Sequence, residues 1–245
     1  MPIHTGRGVF VAIEGIDGAG KTTQVGLLAE ALRQAGETVI TSKEPTDGPW
    51  GSKIRQSASD GRMPLAKELE AFLNDRAEHV EQVIMPALTL GEIVVLDRYY
   101  YSTIAYQGAR GANVAKLRSE MEDRFPVPDA VFLLDIDPTL SLYRISETRQ
   151  EAPNVFERIP DLREARRVFN SLEDSHLSHI DGSRSIECVH HEILQLFIEI
   201  PLKVRRCAKD YGCDDPFHCT PRFTSNCEWW NLSRSIRPAS RLLPV

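Results

Sequence analysis

Eight consecutive residues, Gly15-Ile16-Asp17-Gly18-Ala19-Gly20-Lys21-Thr22, constrain this chain more than any other segment. They satisfy the pattern G-x-x-x-x-G-K-[ST] and sit where that pattern has physical meaning. Residues 9–13 before them form a short apolar run, as expected for a strand buried on both faces. Residues 21–35 after them carry Val25, Leu28, Ala29 and Leu32 at helical spacing and stop at Gly36. Glycines let the backbone curl so that successive N–H groups point inward at a helix N-terminus, which makes a cradle for phosphate oxygens running through Thr23. Lys21 would reach the β- and γ-phosphates of a bound nucleotide, and Thr22 would offer its hydroxyl to Mg²⁺.

The same alternation continues along the first 200 residues. Strands are expected at 38–41, 93–96, 131–134 and, more weakly, 179–181, with 131–134 bounded by Pro128 and Pro138. Helices are expected over 65–90, from 139, from just after Asp161, and in a last stretch ending near Ile200. Pro86 should kink the first of these or end its regular part. Asp161 and Glu164 resemble a capping box, and residues 44–51 read as a Gly/Pro/Asp-rich loop. Strands alternating with helices imply an α/β fold of the P-loop NTPase type. Its architecture is a three-layer sandwich with a central parallel five-stranded sheet and helices on both faces.

Pro201 marks the expected domain edge, giving a P-loop domain over 1–200 and an extension over 201–245. The extension carries eight Lys and Arg against four Asp and Glu, although the whole chain has a formal net charge of −6. That balance excludes a nucleic-acid polymer as the electrostatic partner of the chain. Four of the five cysteines, Cys207, Cys213, Cys219 and Cys227, fall in the extension without any Cys-x-x-Cys pair. A basic extension is therefore expected there in preference to a zinc site. No export signal and no apolar run near the roughly 20 residues of a membrane span is visible, so the expectation is a cytoplasmic protein without a membrane.

A phosphate cradle does not name a reaction. The chain has no Asn-Lys-x-Asp guanine reader, and its third strand ends in Asp97-Arg98-Tyr99 instead of an Asp-Glu pair. Asp97 belongs on the magnesium side, partly through water. An arginine beside it suits a second anionic substrate, because guanidinium binds phosphate as a fork. The lesser reading of Asp97-Arg98 is an ordinary strand-end ion pair.

Longer segments carry a family resemblance. Glu14-Gly15-x-Asp17-Gly18-Ala19-Gly20-Lys21-Thr22-Thr23-Gln24 resembles the opening of thymidylate kinases. Lys43-Glu44-Pro45 resembles their basic-Glu-Pro segment, and Phe156-Glu157 follows a lid as it does in that family. Asp97-Arg98-Tyr99-x-x-Ser102-x-x-Ala105-Tyr106-Gln107-Gly108 is similar to their acceptor segment. The resemblance covers about residues 8–200 and implies transfer of the γ-phosphate of ATP, with Mg²⁺, to dTMP. It also implies a homodimer. Another acceptor, or nucleotide binding without turnover, are the competing expectations.

Carried over position by position, the resemblance assigns Phe72 to stack on the thymine and Arg76, one turn on, to donate to a thymine carbonyl. Read without it, Phe72 is a core residue. Thr103 and Gln107 would complete the base pocket, and Tyr106 would close on the sugar where a 2′-hydroxyl would lie. Arg98, helped by Arg55, would hold the acceptor phosphate, with Glu44 near the sugar or the magnesium waters. The loop has no basic residue before Lys21, so charge on the migrating group is assigned to a lid at about 144–157, to Arg149 first and Arg144 second. Two departures from the family stand beside the acceptor site: Lys43 in place of an arginine, and Thr46-Asp47-Gly48-Pro49 in place of a double glycine.

Overall fold

The computed structural model describes residues 8–148 and 158–200. Its centre is β1 (Val9–Glu14), buried at all six positions. β1 lies between β3 (Ile93–Asp97) and β4 (Ala130–Asp135), with β2 (Val39–Lys43) outside β3 and β5 (Leu177–Asp181) outside β4. All four pairings are parallel. Ile13 pairs with Asp97 and Glu14 with Leu133, so the loop leaving β1 emerges between the carboxyl ends of β3 and β4. Ligands of open parallel sheets bind at that edge.

Alternation along the strands divides the core in two. Phe10, Ala12, Val94, Leu96, Val131 and Leu133 share one cluster with Tyr99, Tyr100, Tyr101, Ile104, Met121, Leu162, Val168 and Phe169. The latter come from α5 (Tyr100–Gly108), α6 (Val114–Arg124), α8 (Ile159–Asn170) and the turn before α5. The intervening strand residues face the other way, toward α1 (Lys21–Gln34), which buries Val25, Leu28, Ala29 and Leu32. Full burial of side chains like Leu28 and Leu32 contributes about 1.5–3 kcal/mol each. Gln24 Nε2 donates to the Ile186 carbonyl at 3.0 Å and ties α1 to the start of α9 (Ile186–Glu199).

The five strands fall where the sequence puts them, each longer by one or two residues than its expected run. Several helical expectations need correction. Residues 44–51 are not loop throughout, because Pro49 opens α2 (Pro49–Asp60) as a first-turn residue. α6 was not expected; it buries only Leu117 and Met121, and its start is set by Asn113, whose side chain accepts the Lys116 N–H at 2.9 Å. The region 65–90 is α3 (Leu65–His79), a π-helical turn (Val80–Ile84) and α4 (Met85–Thr89). The widened turn, with the Met85 N–H on the Val80 carbonyl, absorbs the clash that Pro86 would cause in a regular helix. Asp161 and Glu164 form no capping box. Pro160 starts α8 early, at Ile159, and Glu164 pairs with Arg167 instead. α7 spans Pro138–Thr148.

By packing, the chain divides into residues 1–197 and 198–245, and the five strands all lie in the first unit. Arg149, Phe156, Glu157 and the cysteines of the extension lie outside the described residues. Among the described residues no helix is long and apolar enough to cross a membrane, and no group of His, Cys, Asp and Glu is arranged to hold a metal by itself.

Candidate functional site

The loop from Gly15 to Gly20 owes its path to residues without side chains. Gly15 and Gly18 have φ of 139° and 72°, where other residues are strained. A Cβ on Gly15 would meet the Leu134 carbonyl at 2.5 Å, and one on Gly18 the Ser141 carbonyl at 2.5 Å. Gly20, also left-handed, caps α1. Ile16 and Ala19 are buried beneath the loop, while Thr23 is exposed on the first turn of α1. Ser141 Oγ from α7 donates to the Asp17 carbonyl and seats the loop from the far side.

Lys21 is buried and folds back to donate to the Ile16 carbonyl at 2.8 Å. Burial, then the nearby Arg98 charge, pushes its ammonium down to about 8 against the pull of Asp97, Asp17 and Glu14. Thr22 Oγ1 donates to Asp97 Oδ2 at 2.5 Å. The expected pair of hard oxygen donors is therefore in contact, at the foot of the phosphate cradle.

Arg98 has φ of 71°, the only non-glycine residue with positive φ among the described residues. Its guanidinium crosses to the P-loop. Nη2 reaches Asp17 Oδ1 at 2.7 Å, and Nη1 donates to the Gly15 carbonyl at 3.1 Å and to Ser102 Oγ at 2.9 Å. Tyr106 lies under the same guanidinium, 5.4 Å from ring centre to carbon, and its hydroxyl donates to Asp17 Oδ2 at 2.6 Å. Burial and the Asp17 charge hold that phenol well above its ordinary range, so it stays a neutral donor. Asp17, Arg98 and Tyr106 thus lock the phosphate loop to the acceptor segment.

The residues expected to form a base pocket meet across two helices. On α3, Glu68, Phe72 and Arg76 recur at i, i+4 and i+8 and so share a face, and on α5 Thr103 and Gln107 do the same. Glu68 Oε1 accepts from Gln107 Nε2 at 2.8 Å, and Arg76 Nη2 donates to Thr103 Oγ1 at 2.9 Å. Along α3 Phe72 falls midway between Glu68 and Arg76, half-buried and outside the core cluster, contrary to its reading as a core residue. Arg76 is 1% exposed; Nε and Nη2 bind Glu44 Oε2 at 2.9 and 2.7 Å, and Nη1 meets only the weak acceptor Met121 Sδ at 3.4 Å. Gln107 keeps a buried amide oxygen without a hydrogen-bond partner among the described residues.

Glu44 is buried, its Oε1 3.1 Å from His79 Nδ1 and its Oε2 on Arg76, and it makes no contact with Thr22 or Asp97 through its side chain among its hydrogen bonds here. Arg55 is exposed and donates to the Pro45 and Thr46 carbonyls at 3.0 and 2.5 Å, with Asp47 at 3.3 Å. The departure at Thr46 has a structural partner. Asp75 accepts its N–H at 2.8 Å and its hydroxyl at 2.6 Å. Lys43 reaches Asp47 at 3.2 Å on the surface. Arg144 donates to the Gly182 and Ser183 carbonyls at 2.9 and 3.4 Å, which sets it on the loop between β5 and α9.

Sequence reasoning missed the acids behind these residues. Glu14, fully buried, accepts from the Tyr99 and Ser102 N–H groups at 2.7 and 3.1 Å and from the Ser102 hydroxyl at 2.6 Å. Glu68, also fully buried, takes Arg62 at 3.0 Å and Arg110 at 2.6 Å besides Gln107. An acid closing an otherwise apolar buried strand was the available signal for Glu14. Glu68 gives none, because an acid in the first turn of a helix is ordinary.

Comparison with known proteins agrees with this geometry. The family model described as thymidylate kinase matches residues 13–193. A thymidylate kinase of Xanthomonas campestris pv. campestris is 48% identical over 185 residues, 76% of this chain and 81% of the relative. One of Xylella fastidiosa is 46% identical over 198 residues, 81% of this chain and 90% of the relative. One of Xanthomonas oryzae pv. oryzae is 47% identical over 182 residues, 74% of this chain and 79% of the relative. With the cradle, the arginine beside it and a match of this extent, the chain belongs to the thymidylate kinase family.

Proposed function

We propose that this chain transfers the γ-phosphoryl group of ATP to the 5′-phosphate of dTMP, giving dTDP and ADP. The observation that carries the reading is the Arg98 fork lying directly on the P-loop, 3.1 Å from the Gly15 carbonyl and 2.7 Å from Asp17. A guanidinium there meets the phosphate of a second substrate beside the triphosphate cradle. Phosphoryl transfer asks the protein mainly for positioning and for positive charge on the migrating group.

The roles are those the family resemblance implies, and the chemistry of each residue supports them. The loop amides from Gly15 to Thr23 bind the triphosphate, and Lys21 turns from the Ile16 carbonyl to the β- and γ-phosphates. Arg98, with Arg55, holds the acceptor phosphate in line. Phe72 offers a flat face to the thymine. Arg76 Nη1 suits a ring carbonyl, and the unpartnered Gln107 oxygen suits a ring N–H. Thr103 closes the pocket by fixing Arg76, and Tyr106 stands where a ribose 2′-hydroxyl would intrude. Glu44 acts through Arg76, as its counter-charge. Arg149 is assigned to the transferring group and Arg144 is the second lid arginine.

Thr22 and Asp97 are hard oxygen donors in contact beside the cradle, which is the donor chemistry Mg²⁺ takes. Bound there, the ion would offset charge on the phosphate oxygens. We further propose a homodimer in the cytoplasm, with small-molecule substrates and no nucleic-acid polymer or membrane as partner. The catalytic domain is residues 1–200, and the basic extension plays no part in the reaction.

The test is ADP release across the common nucleoside monophosphates. dTMP is expected first, dUMP weaker and purine monophosphates negligible, because Phe72, Arg76 and Thr103 are assigned to a pocket for a single ring. Comparable turnover with a purine monophosphate would refute the assignment.

A further inference from the structure

We propose that Glu14 is a positioning residue for Arg98: one carboxylate oxygen clamps the backbone after the arginine, and the other orients the Ser102 hydroxyl on which the guanidinium rests. The proposal rests on the reading of Arg98 as the acceptor-phosphate ligand.

Glu14 ends β1 and is fully buried, yet every hydrogen bond of its carboxylate goes to the turn that follows β3 and the first turn of α5. Packing alone would favour an apolar residue here, since a buried carboxylate is costly unless fully hydrogen-bonded. Oε1 takes the N–H groups of Tyr99 and Ser102, the residue after Arg98 and the one four positions on. The Arg98 N–H is itself held by the Ile13 carbonyl at 3.0 Å. The backbone on both sides of the left-handed residue is thereby tied to β1, which supports a conformation that side-chain-bearing residues rarely adopt.

Oε2 acts on the side chain. A hydroxyl has one proton, and Ser102 gives it to Glu14 at 2.6 Å. Its lone pairs are then available to Arg98 Nη1 at 2.9 Å. An ionised Glu14 accepts only, so the polarity of this relay is fixed from one end to the other. Burial raises the Glu14 carboxyl to about 6, with the Ser102 bond and the Arg98 charge working against that rise, so at neutral pH it is ionised and accepts. An amide in its place would present a donor to the hydroxyl and leave the relay without direction.

The experiment measures dTMP affinity by titration calorimetry and steady-state KM for dTMP and ATP. The variants are Ser102→Ala, Glu14→Gln, and each of these combined with Arg98→Ala. Loss of one charge-assisted bond that aims the fork should raise the dTMP Kd about tenfold, with KM for ATP changed less than about twofold. In the Arg98→Ala background the same substitutions should add less than about twofold, because a residue acting through Arg98 has nothing left to position. Equal losses in both backgrounds, an equal loss of ATP affinity, or no loss would overturn the positioning role while leaving the function standing. If Arg98→Ala itself leaves dTMP affinity intact, the reading of Arg98 fails, and that result is distinct from all of these. Ser102→Ala removes a single oxygen and decides the matter should Glu14→Gln fail to fold.

Discussion

Lys21→Met should abolish turnover and at the same time make the nucleotide-free protein more stable at neutral pH. Lys21 is 6% exposed and its ammonium is depressed from 10.5 to about 8, first by burial and then by Arg98. Between pH 8 and 10.5 the unfolded chain therefore holds a proton that the folded chain has lost, so stability rises with pH across that window. Below pH 8 the full penalty applies, about 3 kcal/mol for a shift of this size. Methionine keeps the stem and removes the charge, at the loss of the ammonium's bond to the Ile16 carbonyl, worth about 2 kcal/mol. The net gain is about 1 kcal/mol, or roughly 2–4 °C in Tm for a domain of this size. Melts of wild type and variant at pH 7 and near pH 10 test this, in buffers free of phosphate and sulfate because an anion in the cradle would stabilise the wild type by mass action. The gap should be widest at pH 7 and close as pH rises toward 10.5. A variant that melts at or below the wild type at pH 7, or a gap indifferent to pH, would refute the claim that the loop confines a destabilising charge for use on phosphate.

Glu44→Ala should destabilise the fold by about 3 kcal/mol or more in urea unfolding, since it strands the buried Arg76 charge; a loss below about 1 kcal/mol would show that the pair is not a structural ion pair. Arg149→Ala should lower kcat strongly with KM for ATP little changed, as expected of a lid residue that meets the transferring group; a raised KM at constant kcat would move the role to Arg144. A chain ending at Ile200 should remain an active kinase with a similar Tm, because the family match ends at residue 193 and the described site lies before 200; an inactive or aggregating product would make the extension part of the fold. Zinc analysis of the full chain should find no stoichiometric metal.

What could be read from the sequence follows from how local each signal is. The strands and the phosphate loop are legible because apolar runs and glycines express themselves within ten residues, and the structure returns them with only their ends moved. α2 and α6 escaped because each buries few side chains along a polar run, so their periodicity is faint and their starts depend on single residues, Pro49 and Asn113. Arg98, Arg76, Phe72 and Thr103 were legible as a set only through the family's spacing. The structure adds that Glu68 and Arg76, on either side of Phe72 along α3, meet α5 through contacts between residues 39 and 27 positions apart.

The buried acids were illegible for a physical reason. A glutamate in a sequence is by default a surface residue, and its burial becomes possible only when a partner arrives from elsewhere in the fold. Here the partners arrive in a consistent arrangement. Arg98 comes with Asp17, Arg76 with Glu44, and Glu68 with Arg62 and Arg110. Each cation is held in direction by an anion before any substrate binds, so orientation is settled in folding and not in the encounter with a nucleotide. The arrangement also sets a threshold for ligands. On the proposed role of Arg98, a phosphate must compete with Asp17 for the guanidinium, so an acceptor that displaces the ion pair must also leave the Asp17 carboxylate, which the Tyr106 hydroxyl already donates to, with a partner.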